Sequence, residues 1–395
     1  MDPGRLPLPR AELTLKHGLD TIASVSAAVW TDTGRWTWTG GLARRSPPRP
    51  ATPDQRYDLA SLTKALAAAP VCAALADAGV VDVDAPLIEV LRGEPLDPRL
   101  TAWHLLCHTS GWPAWAPLYE LALGPADGGA VPPSTASGAA IVDPNGARPQ
   151  PAPSPAHAAS TARPRPGSDA ARDAILRAAR ATARVADPGA VHCYSDLGYL
   201  TLCAWLEAAT GERINTLYER LVRHPLLGDA GPRYDGHGAA ATERCPRRGE
   251  VVEGAVHDLN AWAMGGISSH AGLFGSAEDV AGLAWRLALD DAGGLRSVLQ
   301  RWWDRAAPGT HRGGWDKRST GGAYTATGAR FPDDTVGHLG YTGCSVWVAR
   351  SRRTVAVLLS NRVHEVDDLT AIRVLRPAFH DAVAADLGWP DPEPG

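Results

Sequence analysis

Ser61 and Lys64 stand three residues apart in the stretch Y-D-L-A-S-L-T-K-A-L-A-A-A, residues 57–69. The Ala- and Leu-rich run after them predicts a helix with Ser61 at its N-terminus, where unpaired N–H groups and the helix dipole favour negative charge on a nucleophilic oxygen. Residues three apart share a helix face, so the Lys64 amine falls beside the Ser61 hydroxyl. A Ser at a helix cap and a Lys on an exposed turn are also common without any catalytic role. Composition sets this pair apart, because the basic residues are nearly all Arg and Lys16, Lys64 and Lys317 are the only lysines. Guanidinium stays protonated, whereas a buried lysine can lose its proton near neutral pH and act as a base. S-x-x-K in such a setting is the geometry of acyl-enzyme hydrolysis.

The elements that must hold this pair can be read in chain order. Residues 13–25 read as a short helix weakened by Gly18. A hairpin then turns at Asp32-Thr33-Gly34, with Ala28, Trp30, Trp36 and Trp38 alternating on its arms and one face expected to be buried. Residues 100–107 look helical and run into H-T-S-G-W-P; a metal at His108 lacks a second ligand at metal spacing, which favours a structural histidine. Residues 124–168 are dominated by Pro, Ala, Ser and Gly, which predicts a disordered insert because so few large apolar side chains cannot offset the entropy of ordering. Helix resumes at 169–184. Tyr194-Ser195-Asp196 precede an amphipathic helix that Gly211 stops, and a second helix is read at 214–223. Residues 256–275 are punctuated by glycine, which suggests close backbone approaches. Helices are expected over 276–288 and 294–304. Near the C-terminus V-G-H-L-G-Y-T-G-C-S-V-W-V-A-R and T-V-A-V-L-L-S-N-R-V read as two strands joined at 351–353, followed by a helix over 369–387. Strands at both chain ends with helices between them imply an α/β (α+β) fold, an antiparallel sheet built from the two ends and flanked by helices, plus a mainly helical second lobe.

Composition bounds the function. The 395 residues, 44% hydrophobic and 21% charged, suit a large globular enzyme, and a net charge of −4 offers no reason to expect nucleic acid or an anionic membrane as partner. The six cysteines show no C-x-x-C pairing and read as reduced. No run of about 18 apolar residues predicts a membrane span. The N-terminal residues lack the apolar core of a secretory signal, so a cytoplasmic location is expected unless the start is misassigned.

Taken together, three boxes in order resemble the serine β-lactamase and penicillin-binding superfamily, above all its class C-type branch of serine hydrolases, esterases and D-alanyl-D-alanine carboxypeptidase-like proteins. They are Ser61-Leu62-Thr63-Lys64 for S-x-x-K, Tyr194-Ser195-Asp196 for Y-x-N, and His338-Leu339-Gly340 for K-T-G or H-x-G. The flanks L-L-C-H-T-S-G-W-P, H-A-G-L-F and G-W-D add to the likeness, which spans about residues 21–387. The resemblance implies one β-lactamase/transpeptidase-like catalytic domain, with a sheet lobe at about 12–60 and 310–390 and a helical lobe at about 61–309. It implies attack by Ser61 on a small ester, lactone or amide, with Lys64 and Tyr194 sharing the proton transfers and no metal or organic cofactor. The backbone N–H groups of Ser61 and Tyr341 would form the oxyanion hole, and Gly340 would let the strand approach the substrate. Two positions depart from the pattern. Asp196 replaces the usual Asn, which would raise the affinity of Lys64 for its proton and shift the base role toward Tyr194. His338 replaces a cationic Lys, which weakens the β-lactam reading and leaves Arg362 as the candidate anchor for a substrate carboxylate. The rivals are a D-Ala-D-Ala carboxypeptidase or weak β-lactamase, and a catalytically inactive binding module of the same fold.

Overall fold

A computed structural model describes residues 4–124, 164–290, 294–319, 324–365 and 369–391. The insert expected at 124–168 lies almost wholly outside the described residues. Its last residues form a turn, and Ser168 caps the helix that follows by accepting a hydrogen bond from the Ala171 N–H.

Helix α1 (Pro9–Gly18) starts earlier than the pattern over 13–25 suggests, because Pro9 supplies a preset φ in the first turn where no N–H is needed. After Gly18 the chain extends into β1 (Ser24–Trp30) and returns as β2 (Gly34–Arg44), the turn closed by Thr31 N–H to the Gly34 carbonyl. Residues 62–77 are helical. Lys64–Ala68 form a widened π-turn, and α2 (Ala69–Asp77) completes the helix. Next come α3 (Asp169–Ala181), α4 (Asp196–Thr210), α5 (Ala277–Ala288) and α6 (Gly294–Asp304). Toward the C-terminus follow β3 (Trp315–Lys317), β4 (Val336–Leu339), β5 (Ser345–Ala349), β6 (Thr354–Ser360) and α7 (Leu369–Asp386).

The main sheet runs β2-β1-β6-β5-β4-β3, so the first hairpin pairs directly with the last strand of the chain. Gly4–Arg5 adds beside β2, Arg49–Pro50 also pairs with β2, and His311–Arg312 adds beside β3. The sheet is mixed: Gly4–Arg5 joins β2 in parallel, with α1 and β1 as the crossover that a parallel neighbour requires. Both faces are covered, not one. Ala28 on β1 faces the core shared with α2, α4 and α5, while Trp36 on β2 faces a second core shared with α1 and α7. Strand β1 is therefore buried on both faces, and its residues alternate between two apolar layers.

The long strand expected over 336–350 is broken. Gly340 N–H donates to the Cys344 carbonyl and Gly343 takes φ 103°, so residues 340–344 form a tight turn between β4 and β5. Gly337 lies opposite Trp347 across this pair, and a Cβ there would stand 2.1 Å from the Val346 carbonyl oxygen. A paired backbone carbonyl cannot move aside as a side-chain tip can. Gly337→Ala is expected to destabilise the protein by about 2–3 kcal/mol, measured as a lower urea midpoint; an unchanged midpoint would contradict this packing.

Candidate active site

The turn before Ser61 is built by Asp58. Its Oδ1 accepts from the Ala60 N–H at 2.8 Å and its Oδ2 from the His257 N–H at 2.6 Å. Ala60 is held at φ 46°, a left-handed conformation costly for a residue with a Cβ. Ser61 follows, partly exposed between buried neighbours. The β4–β5 turn is tied to the same place. Thr342 Oγ1 donates to the Asp58 carbonyl at 2.7 Å, and a Cβ on Gly340 would lie 2.6 Å from the Leu59 carbonyl oxygen. Only glycine permits that approach. Tyr341 thereby joins Ala60 and Val363 in one small apolar cluster beside Ser61.

Lys64 is fully buried. Its Nζ donates to Ser61 Oγ at 2.9 Å and to the His270 carbonyl at 3.3 Å, and pairs with Asp196 Oδ1 at 2.7 Å. Burial lowers its affinity for the proton, opposed by Asp196, and the net direction is downward. The upward shift expected from Asp196 alone is thus outweighed by desolvation. Tyr194 moves the other way. Burial and then Asp196 push its phenol well above the ordinary tyrosine value, with the Ser61 hydroxyl pulling against them. A phenol so held keeps its proton near neutral pH. The Tyr194 hydroxyl is buried beside Ser61. Ser195 fixes the local chain, its Oγ donating to the Pro113 carbonyl and accepting from the Gly198 N–H at the start of α4.

Arg362, the candidate carboxylate anchor, packs against the turn that carries Tyr341. It is buried, its Nε donates to the Tyr341 carbonyl at 2.8 Å, its backbone N–H donates to Thr342, and its guanidinium carbon lies 4.4 Å from the centre of the Tyr341 ring. It braces the turn that carries Tyr341. His338 is buried at the end of β4, and burial together with Lys64 lowers its proton affinity to about 3.

Sequence reasoning missed several groups around the pair. His270, whose carbonyl meets Lys64, is itself held by Ser268 Oγ at Nδ1, 2.7 Å, and by Asp258 at Nε2, 2.9 Å. His257 stacks on Tyr341 at 5.6 Å between ring centres. His192 and His311 meet at 3.0 Å, and Asp316 lies 3.8 Å from His311. The flanks H-A-G-L-F and G-W-D contain His270 and Asp316, and were the available signal.

The sequence profile of the family described as Beta-lactamase matches residues 12–378. The chain belongs to the beta-lactamase family. Among solved structures, a penicillin-binding protein homologue from Pyrococcus abyssi superposes with a TM-score of 0.66 at 16% identity, covering 97% of this chain and 78% of that one. A D-stereospecific amidohydrolase from Streptomyces sp. gives a TM-score of 0.63 at 18% identity, covering 94% and 98%. At these identities the likeness is one of fold. An N-acetylmuramyl-L-alanine amidase of Bacillus subtilis (strain 168) is 28% identical over 202 residues, which is 45% of each chain, so the match spans less than half the length of that relative. Among the described residues of this beta-lactamase family member, no helix is long and apolar enough to cross a membrane.

Two predictions follow from these contacts. Arg362→Ala is expected to lower kcat about ten-fold on neutral and carboxylate-bearing esters alike, because it loosens the turn carrying Tyr341; a KM rise confined to carboxylate-bearing substrates would restore the anchor. Burial lifts the Asp316 carboxyl to about 6 in the folded state. Its folded value lies above its unfolded one, so the stability it contributes is present below about pH 4 and is lost as pH rises through 6. Asp316→Asn should leave stability at pH 4 unchanged and raise it by about 2 kcal/mol at pH 8 in urea titrations.

Proposed function

We propose that this chain is a serine hydrolase that cleaves small esters, lactones or amides through an acyl-enzyme on Ser61. The observation that supports this reading most directly is the buried Lys64 amine, 2.9 Å from Ser61 Oγ, with its proton affinity lowered by burial. In the reaction, neutral Lys64 accepts the Ser61 proton as Oγ attacks the carbonyl carbon, since a free hydroxyl is too weak a nucleophile near neutral pH. Asp196 stabilises the ammonium so formed. The N–H groups of Ser61 and Tyr341 receive the developing oxyanion, a contribution of roughly 3–4 kcal/mol per donor in measured cases. Tyr194, kept as a phenol, hands a proton to the leaving group as the C–O or C–N bond breaks and recovers one from Lys64. Water then attacks the acyl-enzyme, and the proton returns to Ser61 by the same groups.

Within that reading, amide cleavage is favoured by the names of two similar proteins, an N-acetylmuramyl-L-alanine amidase and a D-stereospecific amidohydrolase. A D-Ala-D-Ala carboxypeptidase or weak β-lactamase is the second reading, favoured by similarity to a putative D-alanyl-D-alanine carboxypeptidase, 29% identical over 203 residues, and opposed by buried His338, which offers no charge to a substrate carboxylate.

Turnover of p-nitrophenyl esters, nitrocefin and a D-Ala-D-Ala peptide tests the reading, together with labelling by a fluorophosphonate probe. Wild type is expected to label on Ser61 and to turn over at least one ester, and Ser61→Ala to lose both. Absence of any adduct would favour the binding module. Lys64→Arg should lose activity nearly as fully, because guanidinium cannot take the proton. In wild type, activity should rise with pH as Lys64 deprotonates, and the rise should fall below the pH range of an exposed lysine; a Lys64→Arg enzyme that keeps the wild-type rate and profile would remove Lys64 from the base role.

A further inference from the structure

Four histidines from distant parts of the chain gather beside Tyr194. One ring nitrogen from each of His108, His311 and His338 lies within 4.8 Å of the others, and all three residues are buried. The Tyr194 ring is 4.2 Å from that of His108 and 6.0 Å from that of His338, between centres. His192 is bonded to His311 at the far side.

Backbone partners set the tautomers of the two rings nearest the question. The Ser195 N–H donates to His108 Nδ1 at 3.0 Å, so the neutral ring carries its proton on Nε2 and presents a donor. His338 Nδ1 lies 2.8 Å from the Leu339 carbonyl oxygen, which can only accept, so this ring carries its proton on Nδ1 and presents Nε2 as an acceptor. Both Nε2 atoms are buried without a hydrogen-bond partner among the described residues. Leaving such groups unmatched costs about 1–3 kcal/mol each, so a group that pairs with both would be favoured.

A metal ion does not fit this arrangement, because His108 turns a proton and not a lone pair toward the centre. A carboxylate does not fit either. It would meet the His108 N–H well but would set its remaining lone pairs against the His338 acceptor. The rings carry no charge to offset this: burial and the neighbouring Lys64 hold His108, His311 and His338 neutral. The fitting group donates once and accepts once. A hydroxyl oxygen with two hydrogen bonds of about 2.8 Å at a tetrahedral angle spans about 4.6 Å between its nitrogen partners.

We propose that His108 and His338 form a neutral donor–acceptor subsite beside Tyr194 that selects substrates bearing an uncharged hydroxyl or primary amide and rejects a carboxylate in the same position. The proposal rests on the serine-hydrolase reading above and adds a substrate class to it. Sites built to hydrogen-bond a substrate group discriminate strongly against analogues that leave them unpaired.

The test uses hydrolysis of p-nitrophenyl acetate by the full-length protein, with N-acetylalaninol, N-acetylalaninamide and N-acetylalanine, each as D and L forms, added as competitors. The alcohol or the amide is expected to inhibit at a concentration at least ten-fold lower than the carboxylate. His338→Lys, checked for folding by near-UV circular dichroism, should reverse that order. If it does not fold, His338→Leu should abolish the preference while His338→Gln, which retains an acceptor, keeps it. A carboxylate that competes as well as or better than the neutral compounds, or no competition by any of them, overturns the subsite. Loss of Ser61 labelling in wild type would instead remove the hydrolase reading and this inference with it, so the two failures are distinct.

Discussion

The buried ion pair between Lys64 and Asp196 is the constraint around which the rest is arranged. Taking an ammonium out of water costs several kcal/mol even after relaxation. Here the cost is offset only where each N–H finds an acceptor. Lys64 has three: Ser61 Oγ, Asp196 and the His270 carbonyl. The first comes from the same helical turn, the second from the start of α4, and the third from the glycine-punctuated segment after 256. A lysine that could be satisfied by fewer neighbours would not require three segments to converge. The surrounding details, including the Asp258–His270–Ser268 chain and the Ser195 cap, place those acceptors and little else.

A second layer of constraint joins the nucleophile turn to the sheet. Asp58 holds the left-handed Ala60, while its own carbonyl accepts from Thr342 in the β4–β5 turn. Arg362 and His257 both pack on Tyr341 from outside. The N–H that would meet an oxyanion is thus positioned by sheet and helix together. Preorganisation of this kind is what makes a backbone donor worth more than the same donor in water.

Much of this was legible in the chain, and the parts that were not share a physical cause. Ser61 and Lys64, Tyr194 and Asp196, and His338 and Gly340 are local pairs, so spacing within one turn or strand is enough to propose them. The hairpin at 31–34 and the strand β6 also follow from local pattern. The histidine nest was invisible because its members at 108, 192, 311 and 338 have no common period and meet only when β3, β4 and the start of α4 come together. The raising effect of Asp196 on Lys64 could be read from the sequence, whereas the larger, opposing effect of burial could not, because depth of burial is not written in the sequence. The break at 340–344 escaped notice since V-G-H-L-G-Y-T-G-C-S alternates like a strand, and only the left-handed Gly343 shows where the chain must reverse.

The pairing of β1 with β6 carries a consequence for how activity arises during synthesis. A ribosome that has emitted the first 300 residues has released Ser61, Lys64, Tyr194 and Asp196, but β1 still lacks its neighbour and the turn bearing Tyr341 has not been made. The sheet closes only when the segment at 354–360 inserts between the first hairpin and β5. Such long-range pairing is slow to form. The cleft beside Ser61 is therefore complete only once segments far apart in the sequence have paired.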